Sequence, residues 1–251
     1  MPELDEDGRQ RFSALAHGEM AMMNPLSPET MERALDALGL TEDATVLDLG
    51  CGKGELLAQI AERYAARGVG VERSPYLLPI ARERGARVAR GSVEILEGDA
   101  RTWTAPEPFD LVVCIGPGWA HDSFGALLEQ LVSHVAPNGQ LLVADGYWRT
   151  EPSAEYLQLL GARRDEMTSH DLNTMTGVDL GMQVLWSGSA TQQDWDRYEF
   201  GYFATVDRWA AANPDHPDRA AFVEQARRGR DRYLRGGRDV LGFGIYLFRV
   251  P

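Results

Sequence analysis

The sequence predicts an α/β fold in which helices cover both faces of a doubly wound, mainly parallel sheet. Short apolar runs alternate with helical patterns from residue 45 onward, and the runs are continuous, as in strands buried on both faces. The first run leads directly into a glycine-rich turn and a helix. A length of 251 residues suits one large α/β domain with room for an inserted cap.

Residues 1–44 precede the first strand and are predicted to form a helical lid. Ser27 suits the N-cap of a helix whose first position is Pro28, and Gly39 can end that helix. Asn24 lies on the segment that would fold over the mouth of the sheet. We therefore predict that Asn24 contacts a substrate.

The main domain is predicted to span residues 45–251 and to begin with a run of β/α repeats. The predicted strands are residues 46–49, 69–72, 93–96, 111–115 and 140–145, and the predicted helices are residues 55–66, 74–85 and 124–135. Proline and glycine pairs mark most of the boundaries.

The second half of the chain is less regular. Residues 152–180 look helical with a break near Gly177, residues 182–189 read as a sixth strand, and residues 243–250 as the last. Between these two strands, residues 190–238 are predicted as a helical cap insertion rich in aromatic side chains.

Composition excludes several classes of protein. No apolar run approaches the roughly 20 residues of a membrane span, and the acidic N-terminus lacks a signal-peptide core, which predicts a cytoplasmic protein. A formal net charge of −13 disfavours a nucleic-acid partner, and the arginine-rich stretch 227–238 has the spacing of a solvated helix face. Cys51 and Cys114 have no metal-ligand spacing, so no metal is predicted.

The turn after the first strand runs from Asp48 to Gly54, with glycines at 50, 52 and 54. A dinucleotide-binding turn would need glycine at Glu55, and a P-loop would need Ser or Thr at Gly54. Asp48 at the strand end would repel phosphate but suits a ligand that carries an ammonium group. A ligand can approach main-chain N–H groups at such a helix N-terminus.

This turn resembles the first motif of the class I S-adenosylmethionine (SAM)-dependent methyltransferases, and the resemblance covers residues 45–146. It implies SAM as the cofactor and a Rossmann-like sheet of seven strands in the order 3-2-1-4-5-7-6, the last antiparallel. The cofactor-binding residues that it implies are Asp48, Gly50, Cys51, Gly52, Gly54, Glu72, Arg73, Asp99, Ala100, Ile115 and Gly116.

Two further acids fit this resemblance in order and spacing. Glu72 ends the second strand, where an acid accepts hydrogen bonds from ribose hydroxyls. Asp99 follows the third strand and resembles the family's adenine-contacting acid, with the N–H of Ala100 directed at the ring. Arg73 would suit the 2′-phosphate of NADP, an alternative that the glycine spacing argues against.

The acceptor is expected beyond the fourth and fifth strands. Methyl transfer needs mainly alignment of the nucleophile, and a base only where the acceptor enters protonated. We predict His121 and Tyr147 as catalytic residues, and Trp119, Trp148, Trp195 and Tyr198 as substrate contacts besides Asn24. An ordinary packing or loop role stays open for each.

These features predict a methyltransferase acting on an oxygen or nitrogen of a small organic molecule by direct displacement, similar to bacterial biosynthetic enzymes of this size. An aromatic cap suits a small acceptor enclosed away from water. Methylation of RNA or protein, and SAM binding without catalysis, are the alternatives. The sequence does not fix the acceptor or the oligomeric state.

Overall fold

The computed structural model describes residues 4–116 and 122–251, which contain one seven-stranded sheet. Its strands are β1 (Thr45–Leu49), β2 (Arg67–Glu72), β3 (Ser92–Glu97), β4 (Phe109–Ile115), β5 (Val135–Trp148), β6 (Gln183–Ser189) and β7 (Leu241–Arg249). They lie in the order β3-β2-β1-β4-β5-β7-β6, and β7 runs antiparallel to both of its neighbours. The predicted sheet order and antiparallel last strand are confirmed.

Helices flank the sheet and fill the segments that precede β1 and β7. The described helices are α1 (Glu6–Ala16), α2 (Pro28–Ala37), α3 (Glu55–Tyr64), α4 (Leu78–Ala86), α5 (Phe124–Val132), α6 (Ala154–Leu160), α7 (His170–Asp179), α8 (Gln192–Ala212), α9 (Arg219–Arg232) and α10 (Arg238–Val240). A 3₁₀ turn (Arg164–Glu166) and a π-helical turn (Tyr233–Gly237) lie between them. None of these helices is both long and apolar enough to cross a membrane.

The continuous apolar strands have two buried faces. Leu142 packs in a cluster with side chains of α2, α3 and α8, whereas its neighbour Leu141 packs in a second cluster with α5. In β4, Val113 likewise packs in the first cluster and Val112 in the second. This division explains why the strands lack the alternation of a half-exposed sheet.

Two boundaries in the second half differ from the predictions. The stretch around Asn138, which has a φ of +62°, interrupts the pairing of β4 with β5 without ending β5. β5 then pairs with β7 as far as Trp148, so Tyr147 and Trp148 belong to the strand. No break occurs near Gly177, where α7 continues because a glycine fits against the ring of Phe248.

The carboxyl ends of the parallel strands meet at one edge of the sheet. The glycine turn follows β1 there, and Glu72 and Ile115 end β2 and β4 at the same edge. Ligands of open α/β sheets bind in the crevice outside these ends. α1 and α8 border the same crevice, since His17 and Trp195 line it together with Gly50.

Candidate active site

The glycine turn leaves open space above β1. Gly50 and Gly52 have φ values of +81° and +55°, a region that favours glycine, and nothing lies within 4 Å of where a side chain on Gly50 would stand. The N–H groups of Gly50 and Cys51 both donate to the carbonyl of Val71, at 2.9 and 3.0 Å. The turn therefore offers open space to a ligand. Two of its N–H groups already donate to the protein.

Glu72 joins the turn to the end of β2. Its carboxylate accepts the N–H of Gly52 at 2.9 Å on one oxygen, and those of Arg73 and Ser74 at 2.9 and 2.7 Å on the other. Burial raises the pKa of Glu72, and these three bonds oppose that rise. A carboxylate accepts about four hydrogen bonds, so the described residues leave one position open on the oxygen that faces Gly52.

Asp48 is the buried acid of the site. It is 3% exposed and borders a small cavity of about 60 Å³ together with Gly50 and Cys51. No hydrogen bond to its side chain is found within residues 4–116 and 122–251. Burial, followed by the charge of Glu72, raises the pKa of Asp48 to about 7. A cationic group placed in this cavity would stabilise the ionised form.

The remaining predicted cofactor residues lie on the same edge, although two of them already have partners. Arg101 forms an ion pair with Asp99, and its hydrogen bonds lower the pKa of Asp99 to about 2. Arg73 pairs with Glu6 of α1 at 3.0 Å and so ties β2 to the N-terminal segment. The backbone and side chains that line the same crevice include Ala100, Ile115 and Gly116, whereas Gly54 caps α3 behind the turn.

Lys53, the one lysine of the sequence, holds the N-terminal segment against the turn. It is 5% exposed, and its Nζ donates to the carbonyls of His17, Gly18 and Met20 at 2.6, 3.2 and 2.8 Å. These carbonyls follow the end of α1, where a cation is favoured. The bonds fix the segment that carries Asn24 over the cleft.

Replacing Lys53 with Met is expected to lower the free energy of unfolding by about 3 kcal/mol, because charge-assisted hydrogen bonds to three carbonyls are lost. SAM affinity should fall as well, since the segment above the turn loosens. Urea unfolding and calorimetry measure the two effects. Arg87→Met is the control, because its ion pair with Glu83 is exposed and contributes little. Equal stability of the two variants would contradict this role.

A single cleft of about 1060 Å³ joins the turn to the helices above it. Its floor includes Gly50, Glu72 and Gly116, and its roof includes His17 of the N-terminal segment and Trp195 of α8. The cleft is therefore enclosed by parts of the chain that are far apart in sequence.

His17 and Tyr198 are hydrogen-bonded across this roof. Nδ1 of His17 lies 2.8 Å from the carbonyl of Ser13, which only accepts, so Nδ1 carries the proton. Nε2 then accepts the hydroxyl hydrogen of Tyr198 at 2.8 Å. Burial, followed by the charge of Lys53, lowers the pKa of His17 to about 4, and burial raises that of Tyr198. The imidazole is neutral at physiological pH.

The predicted acceptor residues divide into three groups. Asn24, Trp195 and Tyr198 line the cleft. Trp119 and His121 lie outside the described residues, so their predicted roles stay predictions.

Tyr147 and Trp148 are buried in β5, and neither lines the cleft or the small cavity at Asp48, so their predicted roles also stay predictions. The ring of Tyr147 covers Gly242 and approaches His170, and the indole of Trp148 donates to the carbonyl of Arg164. Because β5 pairs with β7 as far as Trp148, both residues belong to the strand, and their side chains pack in the interior.

Sequence reasoning missed Glu199, which lines the cleft next to Tyr198. A glutamate four residues after Trp195 lies on the same side of a helix as the aromatic residues, and this spacing was the signal available. Phe243 also lines the cleft, from β7. Phe243 reaches the cleft because the last strand, β7, inserts between β5 and β6.

Known proteins match both the sequence and the fold. A family described as "Methyltransferase domain" matches residues 46–139. The uncharacterised protein YjhP of Escherichia coli is 28% identical over 243 residues, which cover 94% of this chain and 96% of that protein. Its crystal structure superposes with a TM-score of 0.87 at 27% identity, covering 96% of this chain and all of the other.

A second structural relative is a SAM-dependent methyltransferase from Geobacter sulfurreducens in complex with S-adenosyl-L-homocysteine. It has a TM-score of 0.87 and 26% identity, and 99% of each chain is covered. A trans-aconitate 2-methyltransferase of Azoarcus is 38% identical, but over only 45% of this chain and 44% of its own. The matched domain, the sheet order and the acidic glycine turn agree with one another, and together they indicate a SAM-dependent methyltransferase with the class I fold.

Proposed function

We propose that the protein transfers a methyl group from SAM to an oxygen or nitrogen of a small organic molecule by direct displacement. The cleft of about 1060 Å³, which joins the glycine turn to the aromatic helix α8, carries this proposal. SAM supplies an activated methyl group on a sulfonium when it is bound. Alignment of the acceptor is therefore the main task that remains for the protein.

The residues present fit SAM. Asp48 has no hydrogen bond in the described chain and would bind the ammonium group, and the open position on Glu72 would accept from the ribose. The empty space at Gly50 admits the body of the ligand. Asp99 with Ala100 would lie beside the adenine.

The parts of the chain around the cleft favour a small acceptor. We infer that residues 1–44 serve as a lid and residues 190–238 as a cap, because both border the cleft above the strand ends. Such a roof encloses the acceptor and excludes water and long polymers. The cytoplasm, with its SAM supply, remains the predicted compartment.

Four arginines of the stretch 227–238 already form ion pairs, which does not favour RNA. Arg227 and Arg228 pair with Glu224, Arg230 with Asp207, and Arg238 with Asp196, at 2.7 to 2.9 Å. Paired arginines have less charge to offer a phosphate backbone. This observation supports a small molecule over a nucleic acid.

The test is production of S-adenosyl-L-homocysteine from SAM, measured by mass spectrometry with two kinds of acceptor. We expect turnover with a fraction of bacterial metabolites below about 1 kDa and none with total RNA from the same cells. Turnover with RNA alone would refute the small-molecule proposal. Absence of SAM binding by calorimetry would refute the donor site itself.

A further inference from the structure

A second cavity of about 280 Å³, the cap chamber, lies beside the cleft between α1, α6, α8 and α9. Its wall is mainly aromatic, with the rings of Phe12, Tyr156, Tyr198, Tyr202, Phe203 and Tyr233. His17, Tyr198, Glu199 and Leu241 line both the cap chamber and the cleft. The two spaces therefore adjoin at these residues.

Glu199 is the one carboxylate among the described residues that line the cap chamber. No hydrogen bond or ion pair to its side chain is found within the described parts of the chain. Burial raises the pKa of Glu199 to about 7, and the charge of Arg232 opposes that rise. Glu199 is half-buried, and a carboxylate that is partly withdrawn from water is costly unless a ligand supplies a partner.

The groups that face Glu199 come from each surrounding element. Arg232 lines the chamber from α9, and its Nε donates to the carbonyl of Arg228 at 3.4 Å. His17 faces it from the end of α1 as a neutral imidazole. Tyr156 faces it from α6, 4% exposed, with a buried hydroxyl that has no partner in the described chain.

Tyr233 is different, because its hydroxyl already donates to Asp196 at 2.8 Å. Tyr202 also lines the chamber from α8, and burial, followed by the charge of Glu199, raises the pKa of its hydroxyl. The two groups that the proposal uses are Glu199, which only accepts when ionised, and the hydroxyl of Tyr156, which accepts or donates. Both can accept hydrogen bonds from an ammonium group. The surrounding rings attract a cation through their faces.

We propose that the cap chamber binds the acceptor, and that this acceptor is a small amine whose ammonium group is held by Glu199 at the junction with the cleft. This proposal rests on the proposed function and narrows its oxygen-or-nitrogen acceptor to nitrogen. The aromatic wall would enclose the organic part of the amine.

Glu199 would also prepare the acceptor for reaction. Its carboxylate takes one proton from the ammonium group, which leaves a neutral amine with a free lone pair and a neutral carboxylic acid. The nitrogen lone pair then forms the bond to the methyl carbon while the carbon–sulfur bond breaks and its electron pair stays on sulfur. The products are a methylated ammonium and a neutral thioether, and Glu199 returns its proton to solvent.

Binding of three probes with the same ring tests the charge preference of the cap chamber. Phenethylamine, 2-phenylethanol and phenylacetate would be titrated by calorimetry into the protein saturated with S-adenosyl-L-homocysteine. We expect phenethylamine to bind at least tenfold more tightly than the other two at pH 8. Its affinity should decrease toward pH 6, as Glu199 becomes protonated while the amine keeps its charge.

Glu199→Gln should reduce phenethylamine affinity at least tenfold and remove this pH dependence. Glu155→Gln is the matched control, because Glu155 is exposed on α6. Both variants should bind S-adenosyl-L-homocysteine like the wild type. Loss of this binding would indicate a damaged donor site and not a lost amine contact. Preferred binding of phenylacetate, which would implicate Arg232, or an unchanged affinity in Glu199→Gln, would overturn the proposal.

Discussion

Glu72→Ala is expected to weaken SAM and S-adenosyl-L-homocysteine binding by about 100-fold or more. The wild-type carboxylate accepts the N–H of Gly52, and in our proposal it also accepts a hydrogen bond from a ribose hydroxyl. A charge-assisted hydrogen bond contributes about 1.5–3 kcal/mol, and each 1.4 kcal/mol changes affinity tenfold. Loss of the ribose contact together with the ordered turn accounts for the expected factor.

Calorimetry with both ligands measures this effect. Glu97→Ala is a matched control, because Glu97 pairs with Glu72 in register on β3 but is exposed. The affinity of Glu72→Gln should lie between those of the wild type and Glu72→Ala. The oxygen of the glutamine amide still accepts a hydrogen bond, whereas its NH₂ group is placed against a neighbouring N–H. Unfolding curves separate lost binding from lost folding. Unchanged affinity in folded Glu72→Ala would exclude the ribose role.

Asp48→Asn is expected to stabilise the ligand-free protein at pH 8 while it weakens SAM binding at least tenfold. The folded protein holds Asp48 with a pKa near 7, against about 3.8 for an unperturbed carboxyl. Between these values the folded state binds the proton more tightly than the unfolded state, so stability falls as pH rises from about 4 to 7. Three pKa units correspond to about 4 kcal/mol at most.

The stabilisation by asparagine should therefore be small at pH 5 and larger at pH 8. Calorimetric melting at the two pH values measures it, and titration with SAM at pH 8 measures the lost ammonium contact. Asp215→Asn, at an exposed position, should change neither quantity. A variant that is destabilised equally at both pH values would contradict the charge penalty assigned to Asp48.

The parallel part of the sheet could be predicted because its signals are local. The strands β1, β4 and β5 contain nearly continuous apolar runs, and the turn after β1 lies directly in the sequence. The length of β5 could not be predicted, because the strand continues as far as β7 supplies hydrogen bonds, and β7 is almost 100 residues away. That distant pairing also decided the environment of Tyr147.

The position of the proposed cofactor residues in the fold could be predicted for a related reason. Asp48, Glu72 and Ile115 lie at the carboxyl ends of the neighbouring parallel strands β1, β2 and β4, so knowing where each strand ends places all three at one edge. The partners of Asp99 and Arg73, two other proposed cofactor residues, could not be predicted. The carboxylate of Asp99 binds Arg101, and Arg73 binds Glu6, through contacts that only the folded chain defines.

The acceptor half depends on tertiary structure. Helical spacing places Trp195 and Tyr198 on one side of α8, but it does not show which element they meet. Packing of α1 against α8 brings His17 to Tyr198, 181 residues apart, and isolates Glu199 between the cleft and the cap chamber.

By itself the sequence determined the sheet order by resemblance, the glycine turn and the methyl donor. Those features depend on residues that are close together in the chain. They also depend on parallel strands, whose carboxyl ends meet at one edge of the sheet. The tertiary structure alone decided which side chains line the cleft and which carboxylate has no partner among the described residues. Burial and unpaired charge arise only when distant helices close around a cavity, and no local pattern encodes that closure.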